Sequence, residues 1–170
     1  MELAECIYER HSVRKYKKEV IGRVEIEKII SAAVLAPSGK NRKPWRFVID
    51  VQQTQKQQIA ALLGNSNKWI IAAPNWIFEF LDKRQMYDLE KDIFSCGAAA
   101  ENIMLSAHNA GYGTCCIGEI SLYKHEICKI LQVDEEQYIL QMLIVAGKPA
   151  YRLPRKKDLI LEEYIIDEQE

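Results

Sequence analysis

Apolar side chains recur along this chain at two spacings, and the spacing assigns each stretch to helix or strand. Leu3, Cys6 and Ile7 share one helical face, which predicts a short first helix ending near Arg10. Ile26, Ile29, Ile30, Ala33 and Val34 mark the buried face of a second helix over residues 24–36. Pro37 stops it, because the proline ring forbids further helix and disfavours it one residue earlier. "WRFVIDV" at 45–51 predicts a strand, a polar helix follows at about 54–63, and the alternation in "NWIFEFL" predicts a second strand. A long helix spans 88–110 and closes on Gly111 and Gly113. "TCCIG" is a short extended piece, "LYKHEICKIL" another helix, and "YILQMLIVAGKP" the most apolar strand of all. The order of elements is αα-β-α-β-α-β-α-β.

Without repeats or low-complexity stretches, residues 1–170 read as one domain, with 152–170 as an extended C-terminal arm. The apolar tail "LILEEYIID" either lies along its own sheet edge or reaches a partner subunit. In the long helix, "SCGAAAEN" gathers small side chains that permit a close approach, inside the chain or across a dimer interface.

Composition narrows the classes. The chain is 48% apolar and 28% charged, which is globular and not disordered. Lys and Arg (23) nearly balance Asp and Glu (24), for a net charge of -1, which argues against a nucleic-acid binder acting through its whole surface. No window approaches the roughly 18 unbroken apolar residues of a membrane span. The start "MELAECIYER" carries acids where a signal peptide needs bases, so a cytoplasmic location is expected. The five cysteines are odd in number and lack CxxC spacing, against both a disulfide framework and a zinc site.

Four stretches carry candidate chemistry. In "ERHSVRKYKKEV", Arg10, Ser12 and Arg14 alternate, so an extended backbone projects them to one face. Two guanidiniums flanking a hydroxyl suit a phosphate, while a solvated turn, a nucleic acid or a membrane surface remain open from this run alone. In "APSGKNRKPWRF", Ser38, Gly39 and Asn41 offer backbone freedom and an amide that both donates and accepts, or else form an ordinary surface turn. "GYGTCCIGEI" brackets small apolar residues with glycines, a segment able to present backbone N–H groups to something flat. Cys115 and Cys116 within it read as small hydrophobes and not as nucleophiles. "RLPRKK" at 152–157 is a second basic cluster, or a solvated linker.

Taken in order, these pieces resemble the FMN-dependent nitroreductase family. "RHSVRKY" resembles its N-terminal signature, and "PSGKNRKPWRFVI" its Pro-Ser-x-x-Asn-x-x-Pro-Trp-x-Phe segment. "AAENIMLSAHNAGYGTCCIG" resembles its long dimer helix running into the flavin-contacting turn, and "GKPAYRLPRKK" its closing strand end and basic tail. The resemblance implies an α+β fold, a three-layer α/β/α sandwich on a mixed, mostly antiparallel sheet, in a homodimer that exchanges its C-terminal arms. It implies FMN at each of two interface sites. Arg10, Ser12 and Arg14 would hold the phosphate, with His11 beside the ribityl chain or ring edge. Pro37, Ser38, Gly39 and Asn41 would come from the other subunit to the isoalloxazine. Ile117, Gly118 and Glu119 would place backbone N–H groups near the ring, Asn67 or Lys68 would also reach it, and Arg155 or Lys156, with Arg152 as rival, would complete the phosphate site.

The implied activity is that of an NAD(P)H oxidoreductase with ping-pong kinetics, passing electrons through the flavin to a nitroaromatic, a quinone or a similar acceptor. No side chain need act as acid, base or nucleophile, because the flavin carries the chemistry. No nucleic acid, membrane or metal is called for. A non-enzymatic FMN-binding or sensing protein is the alternative. Two departures stand out. Only "LDKRQMYDLEKD" fills the interval that roofs the active site in larger members, and Glu119 occupies the second glycine of the "IGG"-like turn.

Overall fold

The computed structural model describes residues 2–151 and 164–166. Its elements are α1 (Leu3–Glu9), α2 (Arg23–Ala33), β1 (Trp45–Val48), α3 (Gln53–Leu62), β2 (Asn75–Asp82), α4 (Leu89–Asn109), β3 (Gly113–Ile117), α5 (Lys124–Leu131) and β4 (Tyr138–Gly147). Their order is the one the hydrophobic pattern predicts. Several boundaries differ, two of them by three residues. Strand β1 stops at Val48, short of 51, and α2 stops at Ala33, from which a turn carries the chain to Pro37. Three 3-10 segments, Gly39–Asn41, Asn65–Ala72 and Gly118–Tyr123, have no counterpart in the pattern.

The strands form one antiparallel sheet in the order β1-β2-β4-β3. Beyond β3 lies the segment that follows α1. Ser12 bridges Thr114 in the parallel sense, Val13 N–H donates to the Thr114 carbonyl at 2.8 Å, and Tyr16 bridges Pro149 antiparallel. The sheet is therefore mixed and mostly antiparallel, as the α+β expectation has it.

Helices cover both faces. On one, Trp76, Phe78 and Phe80 of β2 pack with Ile59 of α3, Ile127 of α5 and Ile70 of the 65–72 segment. On the other, Ile77 and Leu81 meet Ile26 and Ile29 of α2 and Cys96, Ala99 and Ile103 of α4. Strand β2 is thus buried on both sides. The polar positions of "NWIFEFL" do not face water, and Glu79 is 0% exposed beneath α4. In β4, Leu140 and Leu143 both face the α3 layer despite their odd separation. A bulge opposite Glu79 and Phe80 restores the phase, because one extra residue in a strand switches its faces.

Helix α4 organises the rest. The Asp88 carboxylate accepts from Lys91 N–H at its start, and Asp92 accepts from the N–H groups of Tyr87 and Asp88 at 2.7 and 3.0 Å. At its end, Gly111 N–H donates to the His108 carbonyl and Tyr112 N–H to that of Ala107, a Schellman closure with Gly111 at φ +83°. Of the small residues in "SCGAAAEN", Cys96, Ala99 and Ala100 pack onto the chain's own sheet. The outer face is apolar and exposed at Leu89, Ile93 and Phe94, with Gly97 beside them and Phe94 80% exposed. Among the described residues no helix is long and apolar enough to cross a membrane.

Candidate functional site

The basic segment leaves α1 at Arg10, where the helix gives way to extended backbone. Helix α1 is held on α4 by the Cys6 thiol, which donates to the Leu105 carbonyl at 3.3 Å. Arg10 continues that contact, with Nε 3.0 Å from the Glu101 carboxylate. From here the chain runs beside β3 and buries Val13 completely. The Tyr16 hydroxyl donates to the Val13 carbonyl and closes the segment from below.

This pairing decides where the polar side chains go. With Val13 turned inward, its neighbours Ser12 and Arg14 are left exposed. The Cys115 thiol senses the result. Burial pushes its pKa up, while Arg14, the Ser12 side chain and Arg10 all pull it down. Ser12, bridged to Thr114, and Arg14, over the Trp69 ring, therefore lie beside β3, while Arg10 reaches Glu101 on α4. His11 departs from them, its Nδ1 lying 2.5 Å from the Glu9 carbonyl. Close approach is possible only because position 113 lacks a side chain. A Cβ there would sit 2.4 Å from Val13 Cγ2.

Strand β3 ends in a turn. Ile117 and Ile120 are buried and fix it, while Gly118 and Glu119 between them are exposed. Gly118 and Glu119 open the 118–123 segment, so their N–H groups have no acceptor within it. A Cβ added at Gly118 would meet no atom of the described residues beyond its chain neighbours within 4 Å, so the space they leave in front of the turn is open.

The 65–72 segment forms a wall beside this space. Asn67 Nδ2 donates to the Glu119 carboxylate, and two residues further on the Trp69 ring lies 5.9 Å below the Arg14 guanidinium. Lys68 between them is exposed. Neither Trp69 nor Glu101 stands out in the sequence. Trp69 sits in an apolar run with no strong period, and Glu101 is one acid among many on a long helix. Both contacts depend on how the segment after α1 meets α4 and the 65–72 wall, which no local pattern reports.

The loop after α2 lies elsewhere. Ser38 Oγ accepts from Lys43 N–H at 3.0 Å, and Lys40, Asn41 and Lys43 all adopt positive φ. Three such non-glycine residues in one short loop are a local strain that its surroundings must enforce. Tyr87 supplies part of the hold. It packs against Gly39, and Lys40 Nζ stands 4.4 Å from its ring centroid. Tyr87 precedes α4, whereas Arg10 meets Glu101 well along the helix. At 1.5 Å per residue that separates the loop from the Arg10 cluster by roughly 20 Å along α4. One chain thus brings Arg10, Ser12, Arg14, Asn67, Gly118 and Glu119 together, and leaves Pro37, Ser38, Gly39 and Asn41 apart. Arg155 and Lys156, with Arg152, lie outside the described residues.

The thiols here are poor nucleophiles. Burial raises the pKa of Cys115, and it raises Cys116 to about 12. Cys116 rests 3.4 Å from the Met104 sulfur in an apolar layer. Both cysteines pack as small hydrophobes, in line with the sequence reading.

Comparison with known proteins fits this geometry. The model of the nitroreductase family matches residues 7–74 and 50–148. An Archaeoglobus fulgidus protein, provisionally named an NADH dehydrogenase/NAD(P)H nitroreductase, is 33% identical over 123 residues, covering 69% of this chain and 67% of its own. The FMN reductase [NAD(P)H] of Bacillus subtilis is 24% identical over 176 residues, or 93% of this chain and 70% of the relative. The crystal structure of a provisionally named nitroreductase from Desulfovibrio desulfuricans, in complex with FMN, superposes with a TM-score of 0.88 at 28% identity, covering 99% of this chain and 98% of that one. The chain belongs to the nitroreductase family.

Proposed function

We propose that this protein is an FMN-dependent NAD(P)H oxidoreductase that works as a homodimer and reduces nitroaromatics, quinones or similar acceptors. The observation that carries the reading is that Ser12, bridged to β3, and Arg14, over Trp69, lie exposed near the open turn at Gly118, with Arg10 just before them. Relatives named for FMN reduction and for NAD(P)H-dependent nitro reduction support it, as does the FMN-complexed relative.

The residues present fit FMN. Its phosphate is a dianion, and Arg14 with Ser12 offers an exposed cation and hydroxyl on one side of an extended backbone. A planar ring needs an unobstructed surface, which Gly118 leaves open, and the N–H groups of Gly118 and Glu119 suit the ring's acceptor edge. Asn67 and Lys68 border the same space. When bound, FMN supplies the redox chemistry, so that NAD(P)H, a proton and a quinone yield NAD(P)⁺ and the quinol. The chain's own residues bind, orient and polarise. The cations favour negative charge on the cofactor, and no acid, base or nucleophile is required of them.

The separation of loop 37–41 from the Arg10 cluster within one chain supports the homodimer. The apolar stripe at Leu89, Ile93 and Phe94 on α4, with Leu3 and Tyr8 exposed on α1, is the face we assign to the partner. Pairing there sets loop 37–41 of one protomer against the Arg10 cluster of the other. The whole chain acts as one domain, with 152–170 as its arm, and Arg155 or Lys156 adds to the phosphate site. Five free thiols suit a cytoplasmic, reducing compartment.

Two results test the reading. The purified protein retains FMN at one per chain and shows a flavin spectrum, and a colourless protein that ignores added FMN overturns it. Reduction by NADH or NADPH separates an enzyme from a passive FMN binder. Within this account Arg14→Ala removes a charge-assisted phosphate contact of roughly 1.5–3 kcal/mol. The FMN dissociation constant, measured by fluorescence quenching, rises roughly ten- to hundredfold. An unchanged constant removes Arg14 from the site.

A further inference from the structure

The turn that leaves space for a ring also carries a carboxylate. Glu119 is exposed, yet it is not free to wander. Its backbone is fixed by buried Ile117 and Ile120 on either side, and its side chain accepts from Asn67 Nδ2. That bond ties the turn after β3 to the 65–72 wall, across the mouth of the open space at Gly118. Among the described residues Glu119 enters no ion pair, and its side-chain partner is the neutral Asn67 amide. Glu101 is paired with Arg10 at 3.0 Å. The open space at Gly118 is thus bordered by Arg14 over Trp69 and by the Glu119 carboxylate bonded to Asn67.

We propose that Glu119 sets the charge selectivity of the acceptor: it turns away acceptors carrying a carboxylate or sulfonate and admits neutral and cationic ones. The proposal rests on the FMN oxidoreductase reading and names the substrate class of that same site. The physical cause is Coulombic. Two like charges a few ångströms apart repel weakly in water and more strongly in a cleft from which water is displaced by ring and substrate. Asn67 acts as a positioning residue, because its amide holds the carboxylate at the mouth instead of letting it rotate into solvent.

The test uses three acceptors built on one frame: para-nitrobenzoate, its neutral methyl ester, and a para-nitrobenzyl trimethylammonium salt. Their dissociation constants from oxidised holoprotein are read from the perturbation of the flavin spectrum. The rate of reoxidation by each is then followed after photoreduction, which makes the result independent of NAD(P)H. Wild type binds and reduces the anion at least about tenfold less well than the ester, equivalent to about 1.4 kcal/mol, and the cation at least as well as the ester. Glu119→Gln brings the anion within about threefold of the ester, while Glu119→Asp keeps the discrimination. FMN stoichiometry is measured in every sample, so each ratio refers to loaded sites. Equal use of anion and ester by wild type, or an unchanged ratio in Glu119→Gln, overturns the proposal. Selectivity as described in a protein that neither nicotinamide nucleotide can reduce would leave the proposal standing and defeat the NAD(P)H reading instead.

Discussion

Replacing Gly113 by alanine is expected to unfasten the segment proposed to hold the phosphate and to strip the protein of FMN. The new methyl group would lie 2.4 Å from Val13 Cγ2 and 2.7 Å from Val13 Cβ. Val13 cannot give way by rotating, because it is β-branched and fully buried. The segment must lift from β3, at a cost of about 1–3 kcal/mol for an overpacked site. As Val13 moves, Ser12 and Arg14 move with it. Gly118→Val provides the contrast. Among the described residues no atom beyond its chain neighbours lies within 4 Å of a Cβ at Gly118, so stability should change by no more than about 0.5 kcal/mol. The side chain would project into the space assigned to the ring, and FMN affinity should fall at least tenfold. Urea unfolding of the apoprotein and FMN titration of both variants separate the two effects. If Gly113→Ala keeps wild-type stability and FMN content, residues 12–14 are not held as described.

The second large effect concerns a group outside the site. Glu79 of β2 is fully buried, and among the described residues the one group that approaches its carboxyl is the weakly donating Cys96 thiol. Burial raises its pKa from 4.5 to about 8, and the Cys96 thiol offsets the rise only in part. The sign follows from proton binding. Above pH 4.5 the unfolded chain has released this proton while the folded protein keeps it until about pH 8. The unfolded state therefore binds fewer protons, and stability falls as pH rises through that window. The full displacement corresponds to about 5 kcal/mol. In Glu79→Gln this loss is absent. Unfolding free energies of wild type and variant, both in the apo form, should diverge by several kcal/mol between pH 5 and pH 8 in favour of the variant. Parallel pH profiles would show that Glu79 ionises in the folded protein as freely as in the unfolded one.

Much of this fold could be read from apolar spacing, because most elements bury only one face. Helices α2 and α4 follow their periods closely. Glu79 shows where that logic ends. Alternation in "NWIFEFL" implies a half-exposed strand, but helices lie on both sides of β2, and no local pattern reports a second layer. The 65–72 segment went unread for a related reason: "KWIIAAP" is a short apolar run without helical period, and its 3-10 geometry follows from Ile70 packing into the core. At the site, the alternation of Arg10, Ser12 and Arg14 was visible in the chain, since strand periodicity alone puts them on one side. Trp69 and the Asn67–Glu119 bond were not, because they depend on how the 65–72 wall meets the turn after β3. The separation of loop 37–41 from the arginines is likewise a tertiary fact, and it makes a second copy of the chain part of the argument.

The most direct test of the central claim is an anaerobic titration of the FMN-loaded protein with NADH and, separately, NADPH, followed by one equivalent of a quinone. The account predicts that at least one nucleotide bleaches the flavin band stoichiometrically and that the quinone restores it. A flavin band that neither nucleotide bleaches would contradict it.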